Sequence, residues 1–436
     1  MNESPFLTDI DSRASIKGSR DPLGVQPIWT KLGRHVVGNL TTVSTSVRDF
    51  TTLLLGYYFA ERAAESGRGD GDLAVFLKWE QLAAYARWEI IGDRSFRGTE
   101  RTGKHLQESR KVRLGVDAAS QILSNQKTYG LWGLYTVPAR SSGFVSGNPT
   151  RLTEAGRRLV ESVYIPVLAK EGFRNADAIV KRLAETRIVL DVDGQRDGEL
   201  LGAVAKVLQR RLLTAERDVY RDHLLLGGPQ DRTGGAQALL ASAFETTLDD
   251  RKWELSAARV RHLAKICRGL GDRGGYVTDK LERIRTCELL MAPSASLFGF
   301  LLGSDGQTLA EAASSVRKQW GGVVPTIDLV TTAKLEAELK EAVGDADAGA
   351  RWMQLARAIS GGEYEEALRT LLDQNRFVMK MRNGAAPWIE LLNGKLQVRF
   401  RDDNSPSLPE QDALPDFWIH SYFLDSLRTI GFVLRG

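Results

Sequence analysis

Apolar side chains recur at helical spacing through most of this chain, and that repeat constrains its fold more than any other feature. Helical patterning begins near Trp29. The run Thr41-Thr42-Val43-Ser44-Thr45-Ser46 puts small hydroxyl residues just before an apolar stretch. Ser44 or Ser46 is therefore expected to cap a helix from Val47 to about Glu65, which carries Phe50, Leu53, Leu54, Tyr57 and Tyr58 on helical spacing. Ser66–Asp72 breaks it. A second helix, Leu73 to about Trp88, carries Phe76, Leu77, Trp79, Leu82 and Tyr85, and the two are expected to pack together. Helical patterns also fill roughly 171–380. The class that follows is mainly α, in several domains.

The pattern changes near the C-terminus. Asn393-Gly394 separates Trp388–Leu392 from Lys395–Phe400, two β-prone runs, and this dipeptide favours a turn with positive φ at both central positions. A small α+β unit is expected there, with Leu396, Val398 and Phe400 on one face and Lys395, Gln397 and Arg399 on the other. The apolar face is expected to meet a final helix around Phe417–Ile430. Breaks in patterning suggest a flexible segment 1–24, a helical region 25–116, a module 117–170, a helical middle 171–345 and the α+β unit 346–436.

Composition removes several classes. Hydrophobic residues make up 42% and charged residues 26% of 436, as in folded globular proteins. Formal net charge is +4, so any basic surface must come from clustering. Two cysteines, Cys267 and Cys287, exclude a disulfide scaffold and fit a reducing cytoplasm. The polar N-terminal segment lacks the apolar core of a signal peptide. Leu53–Ala60 and Met291–Leu302 are too short to span a bilayer and are expected as buried helices. A membrane partner is not expected.

The most basic stretch is 92–115, read as a loop because glycines interrupt it. Arg94, Arg97, Arg101, Lys104, Arg110, Lys111 and Arg113 there could track a phosphate backbone, or could form an ordinary solvated surface. Within 117–165, Asp117–Asn125 reads as a short helix, 126–130 as a turn and Leu131–Ala139 as a second helix. Ser142–Val145 and Thr150–Leu152 read as the strands of a hairpin, and Thr153 as the cap of a helix through Leu159.

The string Gly143-Phe144-Val145…Arg151-Leu152-Thr153-Glu154-Ala155-Gly156-Arg157-Arg158-Leu159 resembles the wing and final helix of winged-helix regulators of the MarR type. The resemblance covers about an eighth of the chain. It implies DNA contact, with Lys127, Arg140 and Arg151 as candidate phosphate ligands. The segment Leu131-Trp132-Gly133-Leu134-Tyr135 is more apolar than a DNA-reading helix usually is. A fainter resemblance, carried by Asp21-Pro22-Leu23-Gly24-Val25 and the Thr/Ser-rich helix start, is to uncharacterised proteins of bacterial antiviral defence loci.

Catalytic signals are sparse. No phosphate-binding G-x-x-x-x-G-K-[ST] loop and no G-x-S-x-G elbow occur. Asp191–Asp197 lacks the spacing of a calcium loop and reads as a turn followed by a cap for a helix starting near Gly198. His262, Cys267 and Cys287 do not make a zinc pattern. His35, His105, His223 and His420 have no partner in sequence. Glu390 and Lys395 read as surface charges across a hairpin. No catalytic residue, metal or cofactor is assigned. The expected function is a non-enzymatic nucleic-acid-binding or scaffolding subunit, with DNA backbone contacts and protein partners; the fainter resemblance implies a bacterial antiviral complex as its context. A winged-helix transcription regulator and a nuclease built from distant carboxylates are the alternatives.

Overall fold

A computed structural model describes residues 21–435 except 68–70, 344–346, 383 and 401–406. The expected flexibility of 1–20 lies outside these. The chain is 62% helical and 5% strand, so the helical period decided the class, and each sheet is a single antiparallel pair. Two compact units emerge, and neither is continuous in sequence. One comprises the segments up to Val36 and Lys252–Tyr422, and the other Val37–Arg251 with Phe423–Gly436.

The second unit is built around helices Val47–Glu65 and Asp72–Ala86. Ser46 caps the first by accepting the Asp49 N–H. Both are apolar almost all round, which suits helices covered on every side. Gly56 lets them approach, because a Cβ there would meet the Phe76 ring at 2.6 Å. The indole N–H of Trp79 donates to the Thr52 carbonyl at 2.8 Å. Helices Leu131–Ser141, Asp177–Ala184 and Gln195–Leu208 cover this pair. Leu424–Arg435 packs against Ala236–Glu245 in the same unit. Single π-helical turns occur at Arg87–Ile91, Val160–Tyr164 and Arg221–Leu225.

The basic stretch is not a loop. Thr99–Glu108 is a helix and Lys111–Leu114 a strand paired with Ile188–Asp191. Gly98 and Gly103 serve packing: a Cβ on Gly103 would meet the Trp88 ring at 2.4 Å. The helix expected at Asp117–Asn125 is absent. Asp117 instead binds the N–H groups of Ala119 and Ser120 and the Ser120 hydroxyl, a local turn that competes with helix. A helix starts at Gln195, earlier than expected and without a side-chain cap, and Asp197 accepts the Asp191 N–H instead.

The first unit centres on helix Gly274–Leu302, which forms an antiparallel pair with Ala257–Arg268. Leu309–Trp320, Ala348–Ser360 and Tyr364–Met381 complete it. Residues 21–24, expected to be flexible, are anchored: Asp21 accepts the Val25 and Gln26 N–H groups, and Leu23 is buried. Both cysteines are buried and free.

The hairpin forms as the Asn-Gly turn requires. Ile389–Leu392 pairs with Lys395–Val398, with φ +52° at Asn393 and +77° at Gly394. Leu396 is buried, Val398 and Phe400 half-buried, and Lys395, Gln397 and Arg399 exposed. The strand docks on the turn after Leu302: Leu396 N–H donates to the Gln307 carbonyl, and Gly306 N–H to that of Leu396. Helix Leu424–Arg435, expected to cover this face, belongs to the other unit. It starts later than Phe417 because Trp418–Tyr422 is held non-helical by Glu288, described below. Glu390 pairs with Arg399 at 2.5 Å rather than with Lys395. Gly394→Val should cost about 1–3 kcal/mol through positive-φ strain alone, since nothing lies within 4 Å of a Cβ there. A urea-denaturation midpoint unchanged from the parent would refute this.

Candidate nucleic-acid interface

Asn125 caps a one-turn helix, Gln126–Tyr129, by accepting the Thr128 N–H at 3.1 Å, and Gly130 leads into Leu131–Ser141. The second helix faces inward. Leu131, Tyr135, Pro138 and Ala139 are buried. Trp132 packs on Tyr57 and Phe76, with ring centres 5.2 and 5.1 Å away. Its outer side offers Gly133, Val137 (61% exposed) and Arg140.

The expected hairpin forms, pairing Val145 with Leu152, and Ser146, read as a turn residue, also pairs, with Arg151. Thr153 caps the next helix by accepting the Gly156 N–H at 3.2 Å, while its hydroxyl donates to the Gly143 carbonyl. Gly156 has a steric reason: a Cβ would lie 2.4 Å from the Phe144 carbonyl oxygen. Phe144 is buried and stacks on His223 at 4.5 Å. Glu61 anchors the returning strand, accepting the Leu152 N–H and pairing with Arg157.

The ten candidate cations divide by what already holds them. Arg110 bridges Glu89 and Asp193, and hydrogen bonds to both raise its pKa. Lys111 lies 3.3 Å from Asp191, Arg151 2.6 Å from Asp72 and Lys104 3.8 Å from Glu108. Arg94 lies over the Trp88 ring at 3.5 Å and donates to its carbonyl. Arg101 donates to the Leu123 carbonyl, and Arg140 to Gly147 and Thr150 at the hairpin tip. Arg97 borders a small void beside Glu80. The side chains of Arg113 and Lys127 are exposed and make no hydrogen bond or ion pair among the described residues.

Strand alternation puts Lys111 and Arg113 on one outward face, with Val112 and Leu114 buried. Lys127 and Arg140 share the helical pair 126–141 with exposed Tyr129 (53%) and Val137. The aromatic was not singled out in the sequence, although its place before the helix-ending Gly130 was a readable signal.

Buried ionisable groups elsewhere are held by counter-charges or by hydrogen bonds. Arg87 lies between Asp49 and Asp93; burial alone would lower its pKa, but those carboxylates win and raise it. Glu80 accepts the Leu131 N–H and the Gln126 amide, while burial pushes its pKa up to about 7. The adjoining void, about 10 Å³, holds one water at most. In the first unit, buried Glu288 accepts from Ile419 N–H, His420 N–H, Tyr422 hydroxyl and His420 Nδ1, the last at 2.9 Å. His105 meets the Tyr85 hydroxyl and His223 the Ser142 carbonyl, each by its Nδ1. No group of three or more His, Cys, Asp or Glu among the described residues could hold a metal ion. No helix there is long and apolar enough to cross a membrane. No family, curated protein or solved structure matches the chain.

Proposed function

We propose that this protein is a non-enzymatic nucleic-acid-binding subunit whose 117–165 module is a winged helix and whose contacts fall on the phosphate backbone. The supporting observation is the outer surface of residues 126–151. Lys127, Tyr129 and Arg140 are all exposed on this helical pair, and the Val145–Leu152 hairpin that follows would serve as the wing. Cations with an accessible aromatic suit backbone contact and base stacking. Specific readout of base edges needs polar side chains along the inserted helix. Leu131–Ser141 turns Leu131 and Tyr135 into the core and shows Gly133 and Val137 outward, so sequence preference should be weak. An antiviral assembly remains the context suggested by the resemblance at Asp21–Val25.

The test is fluorescence anisotropy of the full chain with labelled duplex and single-stranded DNA over a salt series. Affinity should fall steeply with salt. The variant Arg113→Ala/Lys127→Ala/Arg140→Ala should flatten the log–log salt slope by about 1 for each phosphate no longer neutralised. No binding at low salt, or an unchanged slope in the triple variant, would defeat the proposal. Metal-dependent cleavage of the probe would favour the nuclease reading instead.

A further inference from the structure

We propose that a cleft in the second unit, formed by the turn Arg221–Leu225 and the helices Ala236–Glu245 and Leu424–Arg435, binds an amphipathic anion: a carboxylate or phosphate-monoester head on an apolar body. The cleft measures about 430 Å³, within the usual range for small-molecule sites. Its floor is apolar, built from Leu225, Phe244, Leu248 and Leu434, all nearly inaccessible to solvent. Its rim carries Arg217, Arg221 and Arg435 against one acid, Glu245. A site with a greasy floor and a cationic rim selects a ligand with those two ends.

The arginines are unequally engaged. Arg221 meets Glu245 at 3.4 Å and Arg435 meets Asp249 at 2.7 Å, each pair half exposed or more. Such pairs are worth little in water, so a better acceptor can replace them. Arg217 differs. Its Nε is buried and has no hydrogen-bond partner among the described residues. That nitrogen is closed to the cleft, but the half-buried side chain lines it and makes no ion pair among the described residues, so an oxyanion in the cleft would give its guanidinium a counter-charge. The guanidinium fork suits both oxygens of a carboxylate or phosphate.

Two backbone features keep the cleft open. The π-helical turn at Arg221–Leu225 brings Arg221 and Leu225 to the same cavity, and such turns are frequent at functional sites. Gly431 lies on the wall, in the interior of its helix, where glycine is unfavourable by roughly 1 kcal/mol relative to alanine. A Cβ there would meet only Leu225, at 3.4 Å, so alanine would fit and a longer side chain would enter the cleft.

The experiment titrates the full chain with a dansyl-labelled fatty acid and competes it with decanoate, decyl phosphate and decanol. Saturable binding is expected, displaced by the two anions and not by the alcohol. Arg217→Gln should weaken it by about tenfold or more, the worth of one charge-assisted hydrogen bond, with the thermal melt retained. Gly431→Leu should abolish it. If Arg217→Gln fails to fold, Arg435→Gln, whose side chain is half exposed, reads the loss of rim charge. Displacement by decanol as effective as by decanoate, or full binding by both arginine variants, would overturn the proposal. Decanoate and decyl phosphate rank which head the cleft prefers.

Discussion

Replacing Glu216 by alanine is expected to destabilise the second unit by about 3–5 kcal/mol, the usual cost of leaving a buried charge without its partner. Arg48 donates from Nη1 and Nη2 to the two Glu216 oxygens at 2.8 and 2.9 Å, with the two side chains 9% and 1% exposed. The Tyr164 hydroxyl and the Leu213 N–H also donate to that carboxylate, at 2.8 and 2.7 Å. Alanine would leave the buried Arg48 guanidinium without a counter-charge and take the acceptor from the Leu213 N–H, while the Tyr164 hydroxyl keeps Tyr220 and Thr51. Arg48 would keep only neutral acceptors, the Gln209 and Arg211 carbonyls and the Thr51 hydroxyl. The paired change Arg48→Met/Glu216→Leu removes both charges and should recover most of the loss. Urea denaturation of the three proteins decides it. A single variant within 1 kcal/mol of the parent would show that solvent reaches Arg48.

The second large effect is expected in the first unit and carries a pH signature. Glu288→Ala removes a fully buried carboxylate that holds four donors, two of them on the backbone of Ile419 and His420. The loss should be on the order of 3–5 kcal/mol near pH 6, where His420 is charged. Burial alone would lower the His420 pKa, but Glu288 beside it wins and raises it above 6.5. Between 6.5 and that higher value the folded chain keeps a proton that the unfolded chain has released. Stability from this pair is therefore complete below about pH 6.5 and fades as pH climbs through the folded pKa. His420→Gln should remove that slope while keeping a side-chain donor toward Glu288. Equal parent and His420→Gln profiles from pH 5 to 9 would show that the imidazole is neutral when folded.

What was legible in the sequence was local. The Ser46 cap, the Thr153 cap and the Asn393-Gly394 turn each depend on residues within three or four positions, and each stands where residue chemistry places it. Long-range pairing was not legible. Lys111–Leu114 finds its strand partner at Ile188–Asp191, and neither four-residue run is distinctive alone. Arg48 and Glu216 are 168 positions apart, and Glu288 and His420 are 132 apart. No periodicity announces such pairs. Of the glycines at 92, 98 and 103, the last two misled because glycine has two uses: it frees a loop, or it admits a close neighbour. Trp88 against Gly103 is the second use. The candidate cations were visible as residues, but not which of them already hold carboxylates within the chain.

The interleaving of the two units has a consequence for biosynthesis. The helix Leu424–Arg435 buries Leu424, Leu427, Ile430 and Leu434 within a unit whose other residues, 37–251, are translated far earlier. Until that helix leaves the ribosome, the apolar surface it covers on Ala236–Glu245 stays open, and the whole Lys252–Tyr422 segment must be synthesised in the interval. Nascent chains halted before residue 423 should therefore expose a hydrophobic surface to chaperones and proteases. Cutting the gene at a single point cannot separate the units. Dissecting them requires excising Lys252–Tyr422 and rejoining Arg251 to Phe423 through a linker, so that 37–251 and 423–436 remain on one chain.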